Sequence, residues 1–568
     1  MIDSLPKTAQ PFMDWGWSQI EPYTKELEGR PLSAGNLAGW LADWTQLASL
    51  VTETFARLYV ATTVDTTDKA AEARYRAFLD EIYPKSIAAE QKLKEKLLAS
   101  GLQPPAGFEL PLQRMQVEAA LFREENLPLL TEERKLSNEF DKITGAQTVE
   151  WEGQEVTLPQ LRPVFQNPDR EVRERAWRLS MARQLEDRDA INALWQKFMG
   201  VRGQLAANAD LDNYRSYRWR EMLRLDYGPD DCMTFHKAIE AVAVPAALRI
   251  YERRRTRLGV AALRPWDLSV DPHGRPPLRP FTTVDELESK AAAMFRRVDP
   301  HLGDNFQVMR DEGLLDLENR KGKAPGGYCQ TFELARKPFI FMNAVGLHDD
   351  VQTLLHEGGH AFHVFEIAPL PYIQQLESGL EFAEVASMAM ELLAAPYLPA
   401  SEGGFYSEAD AARARIEHLE EAILFWPYMA VVDAFQHWVY TNHAAASDPA
   451  NCDAKWAELW GRFMPGVDWS GLEQEMMTGW HRKLHIHQVP LYYVEYGLAQ
   501  LGAVQVWSGA LRDQAGAVAR YRRALALGGT ASLPDLYATA GAKFAFDAGT
   551  LGEAVALMER TIAELDTA

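Results

Sequence analysis

The chain has 568 residues, of which 47% are apolar and 24% are charged. This composition is typical of folded globular proteins and excludes a disordered chain, and the length predicts two or more lobes. The 80 acidic and 59 basic residues give a net charge of −21, which disfavours nucleic acid and anionic membranes as partners.

The N-terminus and the cysteines indicate the cellular compartment. The first residues, MIDSLPKTAQPF, include neither a basic nor an apolar segment, so we predict no secretory signal. No apolar run is long enough for a membrane span. Cys232, Cys329 and Cys452 are far apart and form no C-x-x-C pair, which excludes a disulfide framework and a thiolate zinc cluster. We therefore expect a cytoplasmic protein.

Most of the chain shows apolar residues at three- and four-residue spacing, which predicts amphipathic helices. Pro128 and Pro427 are expected to break or kink two of these helices. Strand signals are few, so the predicted fold class is mainly α. Helices are predicted over residues 70–98, 117–144, 170–205 and 411–446.

Two short segments are predicted to be β-hairpins. In residues 148–158, two alternating runs flank Glu152-Gly153, a pair that favours a turn. Residues 326–344 contain the runs YCQTFEL and PFIFMNA on either side of Ala335–Lys337. The proline-rich segment Pro272–Pro280 predicts a loop that divides a helical first part from the rest of the chain.

The sequence LLHEGGHAFH contains a pattern that can hold a metal ion. Positions i and i+4 lie on one face of an α-helix, so His356 and His360 can present both imidazoles to one ion. Zinc accepts neutral imidazole, and a catalytic site needs three protein ligands and an open position for water. Glu357 can reach a water on such an ion and take its proton. Gly358 and Gly359 each cost about 1 kcal/mol relative to alanine, so another backbone or a ligand is expected very close to this helix.

A third ligand is expected from a second helix, predicted at about residues 379–395. Glu381, Glu384, Met388 and Glu391 fall on one face of that helix. Glu384 is the predicted third ligand, and Glu391 is predicted to hydrogen-bond a ligating imidazole. An exposed acidic stripe is the alternative interpretation.

Three further features carry weaker signals. The loop Gly326-Gly327-Tyr328, with PFIFMNA after it, is predicted to offer a strand edge to an extended peptide; an ordinary buried hairpin is the alternative. His363 is predicted either to support the metal ligands or to be a buried structural histidine. Cys329 has no evident base beside it, so we do not interpret it as a nucleophile.

The joint occurrence of HEGGHAFH and EVASMAME resembles the thimet oligopeptidase family, and more closely its oligoendopeptidase F branch. KAPGGYCQTF, HIHQVPLYYVEYGLAQLGA and NYRSYRWREMLRLDYGPDDC support the resemblance, which covers roughly residues 200–510. It implies a mainly helical fold with two lobes around a deep channel that admits short unstructured peptides. It also implies one zinc ion per chain on His356, His360 and Glu384, with Glu357 as general base and then general acid.

Members of this family supply a histidine and tyrosines near the C-terminus that hold the substrate and the tetrahedral oxyanion. The resemblance favours His485 for this histidine, because branch members carry an aromatic residue at the position of His487, which remains a substrate-binding candidate. The tyrosine candidates are Tyr492, Tyr493 and Tyr496, and their spacing leaves the choice open. A phenol or an imidazole N–H can donate to an oxyanion, although an aromatic core stripe would have the same composition.

The leading hypothesis is a zinc endopeptidase that acts on short oligopeptides. Residues 1–200 are predicted to form part of the channel wall, and residues 201–568 the catalytic region. A zinc carboxypeptidase of similar helical build and a peptide-binding protein without turnover are the alternatives. The intact metal motif disfavours the second of these, and the sequence makes no prediction of oligomeric state.

Overall fold

The computed structural model describes residues 2–567, apart from the side chain of Asp3. Its α-helices are, in chain order, α1 Ala9–Phe12, α2 Trp17–Gly29, α3 Leu37–Val64, α4 Lys69–Ala77, α5 Tyr83–Ser100, α6 Glu109–Leu121, α7 Leu127–Gly145, α8 Arg170–Glu186, α9 Arg188–Asn208, α10 Tyr214–Glu221, α11 Pro229–Leu258, α12 Val284–Val298, α13 Pro300–Asp311, α14 His348–Ile367, α15 Leu380–Ala394, α16 Glu408–Thr441, α17 His443–Ala446, α18 Pro449–Phe463, α19 Glu473–Met477, α20 Leu484–Gln488, α21 Val494–Ala510, α22 Gln514–Leu525, α23 Leu533–Ala540 and α24 Ala548–Asp566. The strands are β1 Thr148–Trp151, β2 Gln154–Thr157, β3 Leu315–Glu318, β4 Tyr328–Phe332 and β5 Lys337–Ala344. The mainly helical fold class is therefore confirmed.

The chain forms two compact units, and each unit combines three separate segments. Unit one contains the segment that ends at Ala120, together with Leu278–Ala414 and Ala499–Phe544. Unit two contains Leu121–Pro277, Arg415–Leu498 and the segment that begins at Ala545. One boundary between the units falls inside the predicted proline-rich loop. The predicted division at residue 200 separates a channel wall from a catalytic region, so it concerns function and not these compact units. It stays a prediction, and so does the channel.

The predicted helical segments are helical, but two of them are interrupted where the sequence predicts a continuous helix. Residues 70–98 are helical but contain a π-helical turn, Phe78–Ile82. The predicted helix over 170–205 is two helices, because Asp187 ends α8 while its carboxylate accepts from Arg183 at 2.7 Å and from Gln147 at 2.8 Å. Within the described residues, no helix is both long and apolar enough to cross a membrane.

The predicted helix over 117–144 is broken just before Pro128, as predicted, but α16 is not broken at Pro427. Pro128 lies in the first turn of α7, where its missing N–H would have no helical partner in any case, so the chain breaks before it. Helix α16 continues through Pro427, and the predicted break there is wrong. The lost hydrogen bond is offset by burial, since Trp426, Met429 and Ala430 beside it are fully buried.

Both predicted hairpins are present. Strands β1 and β2 pair antiparallel, and Glu152 and Gly153 connect them with φ values of 53° and 80°. Strands β4 and β5 also pair antiparallel, and β3, which the sequence did not predict, pairs parallel to the other side of β5. The strand order β3-β5-β4 makes β5 central and leaves β4 at an edge.

Helices α14 and α15 pack directly against each other in unit one. A Cβ atom on Gly359 would lie 2.4 Å from the carbonyl oxygen of Ala386, and one on Gly358 would lie 2.6 Å from the Phe295 ring. Both distances are too short for a real side chain. The close neighbour predicted for the glycine pair is therefore the backbone of α15, with the Phe295 ring on the other side.

Candidate active site

The two histidines of the motif meet a carboxylate from the neighbouring helix. His356 and His360 lie one turn apart on α14, with ring centroids 5.0 Å apart. Glu384 of α15 places Oε2 3.5 Å from Nε2 of His356 and 3.8 Å from Nε2 of His360. In a tetrahedral zinc site, nitrogen and oxygen ligands lie about 3.3 Å from one another. These three side chains, the metal-ligand triad, need only a small adjustment to reach that spacing.

Two further side chains hold the triad in place. Glu391 lies two turns after Glu384 on α15, and its Oε1 is 2.7 Å from Nδ1 of His356. This bond leaves Nε2 of His356 to face Glu384. Ser387 donates its hydroxyl to Oε2 of Glu384 at 3.0 Å. A carboxylate behind a ligating imidazole is the usual way in which a protein orients such a ligand.

The electrostatics of the triad suit a cation. Burial lowers the pKa of His356, but the hydrogen bond and charge of Glu391 and the charges of two further carboxylates raise it to about 9. Burial, together with the charge of His356, lowers the pKa of His360 to about 3. Burial raises the pKa of Glu384. Three largely buried carboxylates therefore lie beside two half-buried imidazoles, and a bound dication would compensate this negative charge.

Glu357 lies beside the triad without belonging to it. Its side chain is 8% exposed and accepts a hydrogen bond from the backbone N–H of Cys329 on β4. Burial raises the pKa of Glu357 to about 7, with the neighbouring charge of Glu384 adding to this and His356 opposing it. A carboxylate with a pKa near neutrality is suited to accept and return a proton.

Strand β4 supplies the edge predicted beside the active site. Gly326 and Gly327 precede the strand, and Gly326 has a φ of 100° that favours glycine. Tyr328 begins the strand, but its ring stacks on Phe341 and its hydroxyl pairs with Thr63. The run PFIFMNA forms central β5 and is paired on both sides, so of the two predicted strands only β4 lies at a sheet edge.

His485 and the three candidate tyrosines form a second cluster, in unit two. The His485 ring centroid lies 6.1, 5.1 and 6.0 Å from those of Tyr492, Tyr493 and Tyr496. Helix α21 begins only at Val494, so Tyr492 and Tyr496 do not lie on one helix. Their rings are nevertheless 5.3 Å apart.

The members of this cluster differ in exposure. Tyr493 is 4% exposed and lies under Lys483, whose Nζ is 4.3 Å from its ring centroid. Tyr492, Tyr496 and His485 are half-buried. Burial, with a smaller contribution from Lys483, lowers the pKa of His485 to about 4, so the ring is neutral near pH 7. Tyr492 and Tyr496 are therefore better placed than Tyr493 to donate to a ligand.

Two predicted histidines lie elsewhere. His487 has no exposed surface, and its ring stacks on Phe140 with a centroid distance of 4.4 Å. A side chain in this position cannot contact a peptide, so the substrate-binding prediction for His487 is not supported. His363 is buried and bonds to the backbone of Leu525; within residues 2–567 it makes no hydrogen bond to the triad. Its position fits the structural alternative.

The sequence analysis missed two groups that touch the site. Ser387 stands three residues after Glu384, a helical spacing that could have suggested the contact. The backbone N–H of Cys329 has no signal in the sequence, because any residue except proline supplies that donor.

Comparison with known proteins identifies the family. The model of peptidase family M3 matches residues 164–554. The chain belongs to peptidase family M3. This confirms the predicted relationship and the coarser functional prediction, that the protein is a peptidase. A search of curated proteins gave no match.

Solved structures resemble this M3 peptidase over nearly its whole length. "Pz peptidase A with inhibitor 2" is 26% identical with a TM-score of 0.87, and the match covers 100% of this chain and 99% of the other. A protein assigned as an oligoendopeptidase F is 28% identical, with a TM-score of 0.86 and 97% coverage of both chains. Another with that assignment, from Bacillus anthracis str. Ames, is 24% identical with a TM-score of 0.81, covering 98% of this chain and 97% of the other, and it shows the fold alone.

The contact between Glu391 and His356 gives a first prediction. Glu391→Ala removes the acceptor that orients the imidazole, and we expect zinc affinity to fall roughly 10- to 100-fold. Glu391→Gln keeps an acceptor oxygen and loses the charge, so its effect should be intermediate. Competition against a chelator of known affinity measures both variants. Wild-type affinity in Glu391→Ala would show that the contact does not support the ligand.

Proposed function

We propose that this M3 peptidase is a zinc-dependent endopeptidase that hydrolyses internal bonds of short unstructured peptides, with Glu357 as general base. The observation that carries the proposal is the position of Glu357, a buried carboxylate of near-neutral pKa next to a three-donor triad. A zinc ion on the triad would lower the pKa of a water molecule and polarise the scissile carbonyl.

Residues of the chain transfer the protons and orient the metal ligands. Glu357 accepts a proton from the attacking water at its free carboxylate oxygen and then donates a proton to the leaving nitrogen. The Cys329 N–H fixes the carboxylate during both transfers. Glu391 and Ser387 hold His356 and Glu384 in position, so that little reorganisation is needed when the ion binds.

The substrate class rests on strand β4 and on the relatives. An extended peptide can add to an open strand edge through main-chain hydrogen bonds, which requires an unfolded substrate. The 28% identical relative assigned as an oligoendopeptidase F supports an endopeptidase acting on short peptides. A zinc carboxypeptidase could use the same triad, and a substrate blocked at both ends distinguishes the two activities.

Glu357→Gln tests the general base directly. The amide keeps the shape of the side chain but cannot accept the proton, so we expect kcat on a doubly blocked decapeptide to fall roughly 10²- to 10⁴-fold while zinc content is unchanged. Glu366→Gln is the matched control, because Glu366 lies on the same helix and pairs with Arg522 at 2.6 Å. If Glu357→Gln retains near-wild-type kcat, Glu357 is not the general base. Mass spectrometry of the products shows separately whether cleavage is internal.

The His485 cluster generates a prediction about the transition state. If the family role applies, Tyr492→Phe or Tyr496→Phe should lower kcat about 10²- to 10³-fold with little change in KM, and His485→Ala should act similarly. Tyr493→Phe serves as the control, because its ring is buried under Lys483. Steady-state kinetics decides the outcome. If all these variants raised KM at constant kcat, the cluster would bind substrate without stabilising an oxyanion.

A further inference from the structure

A second group of metal-ligand side chains lies in unit two, on helices α11 and α16. Cys232 and His236 are separated by one helical turn on α11, and Asp433 and His437 by one turn on α16, so each pair shares a helix face. All four residues are at most 3% exposed. One donor atom each from Cys232, Asp433 and His437 lies within 4.8 Å of the others.

The hydrogen bonds within this group are incomplete. Nε2 of His236 lies 2.7 Å from Oδ2 of Asp433, and Nε2 of His437 lies 3.4 Å from the same oxygen. Within the described residues, Oδ1 of Asp433 and Nε2 of His437 have no hydrogen-bond partner. Buried polar atoms are normally satisfied, and an unsatisfied one destabilises the fold. Oδ1 of Asp433 and Nε2 of His437 are therefore available to bind a ligand, next to the thiol of Cys232.

We propose that Cys232, Asp433 and His437 bind a second metal ion, a divalent transition metal for which zinc is the best match, and that His236 holds the Asp433 carboxylate. Thiolate, carboxylate and neutral imidazole are the donors that zinc prefers, whereas magnesium and calcium take oxygen ligands. Because the group is closed to solvent, the ion would be structural and would join α11 to α16.

The charges balance when the ion binds. Cys232 is a thiol without the ion, since burial and the charge of Asp433 raise its pKa. Binding replaces the thiol proton, which leaves to solvent, so one dication is matched by one thiolate and one carboxylate. Burial lowers the pKa of His437, so its imidazole adds no charge as a ligand. The resulting site carries no net charge, which a buried position favours.

The guanidinium of Arg215 would have to move when the ion binds. Nη1 of Arg215 on α10 lies 3.3 Å from Nδ1 of His437, and a metal on Nε2 would place the imidazole proton on Nδ1. Arg215 is half-buried, and it would have to turn away from His437. Arg224, Glu495 and Asp231 also act electrostatically on Cys232, and their charges do not change on binding.

Counting metal ions tests the proposal. We expect wild-type protein from zinc-supplemented cells, after passage over a chelating resin, to hold two zinc ions per chain by elemental analysis. Cys232→Ser should hold one and should unfold at a lower temperature. Cys452→Ser is the matched control, since Cys452 is also fully buried but its thiol donates to the Ala446 carbonyl at 3.2 Å; it should keep both ions.

Cobalt substitution identifies the ligand without relying on a variant. The triad offers only nitrogen and oxygen, so a thiolate-to-cobalt charge-transfer band in the wild-type protein requires a cysteine ligand, which the Cys232→Ser variant identifies. The band should disappear in Cys232→Ser and persist in Cys452→Ser. A cobalt-loaded wild-type protein without this band would overturn the proposal, and the four side chains would then form a hydrogen-bonded network only. This readout does not depend on whether the triad binds zinc or supports catalysis.

Discussion

The contact between helices α14 and α15 is the constraint on which the active site depends. At Gly359 the two backbones approach so closely that any larger residue would strike the Ala386 carbonyl, with a Cβ–oxygen distance of 2.4 Å. This approach brings Glu384 within reach of His356 and His360. Each glycine weakens the helix by about 1 kcal/mol, but burying one side chain such as Phe362 or Val385 contributes about 1.5–3 kcal/mol.

The same packing creates an electrostatic imbalance that a cation relieves. Glu357, Glu384 and Glu391 are all held near two half-buried imidazoles, and burial raises the pKa of Glu357 and of Glu384. Fixed neighbours hold each group: the Cys329 N–H, the Ser387 hydroxyl and the ring of His356. The site is therefore organised before a ligand arrives, which is the condition under which electrostatic catalysis is most effective.

Much of this site could be predicted because helix geometry is local. The spacing of His356 and His360, and the face shared by Glu384 and Glu391, follow from the helical repeat, and the structure brings these side chains together. Tertiary features could not be predicted in this way. Strand β3 forms only because β5 lies beside it. The Cys329 N–H is a backbone group that no residue type reveals. His487 is buried because its ring stacks on Phe140. The compact units are also discontinuous in sequence, since each combines three separate segments.

In the proposed function, the triad holds a zinc ion that peptide cleavage requires. The most direct measurement removes zinc with a chelator, verifies the loss by elemental analysis and follows cleavage of a doubly blocked short peptide before and after zinc is restored. We expect cleavage to stop in the stripped protein and to return as zinc rebinds. Undiminished cleavage by the stripped protein would contradict the proposed function.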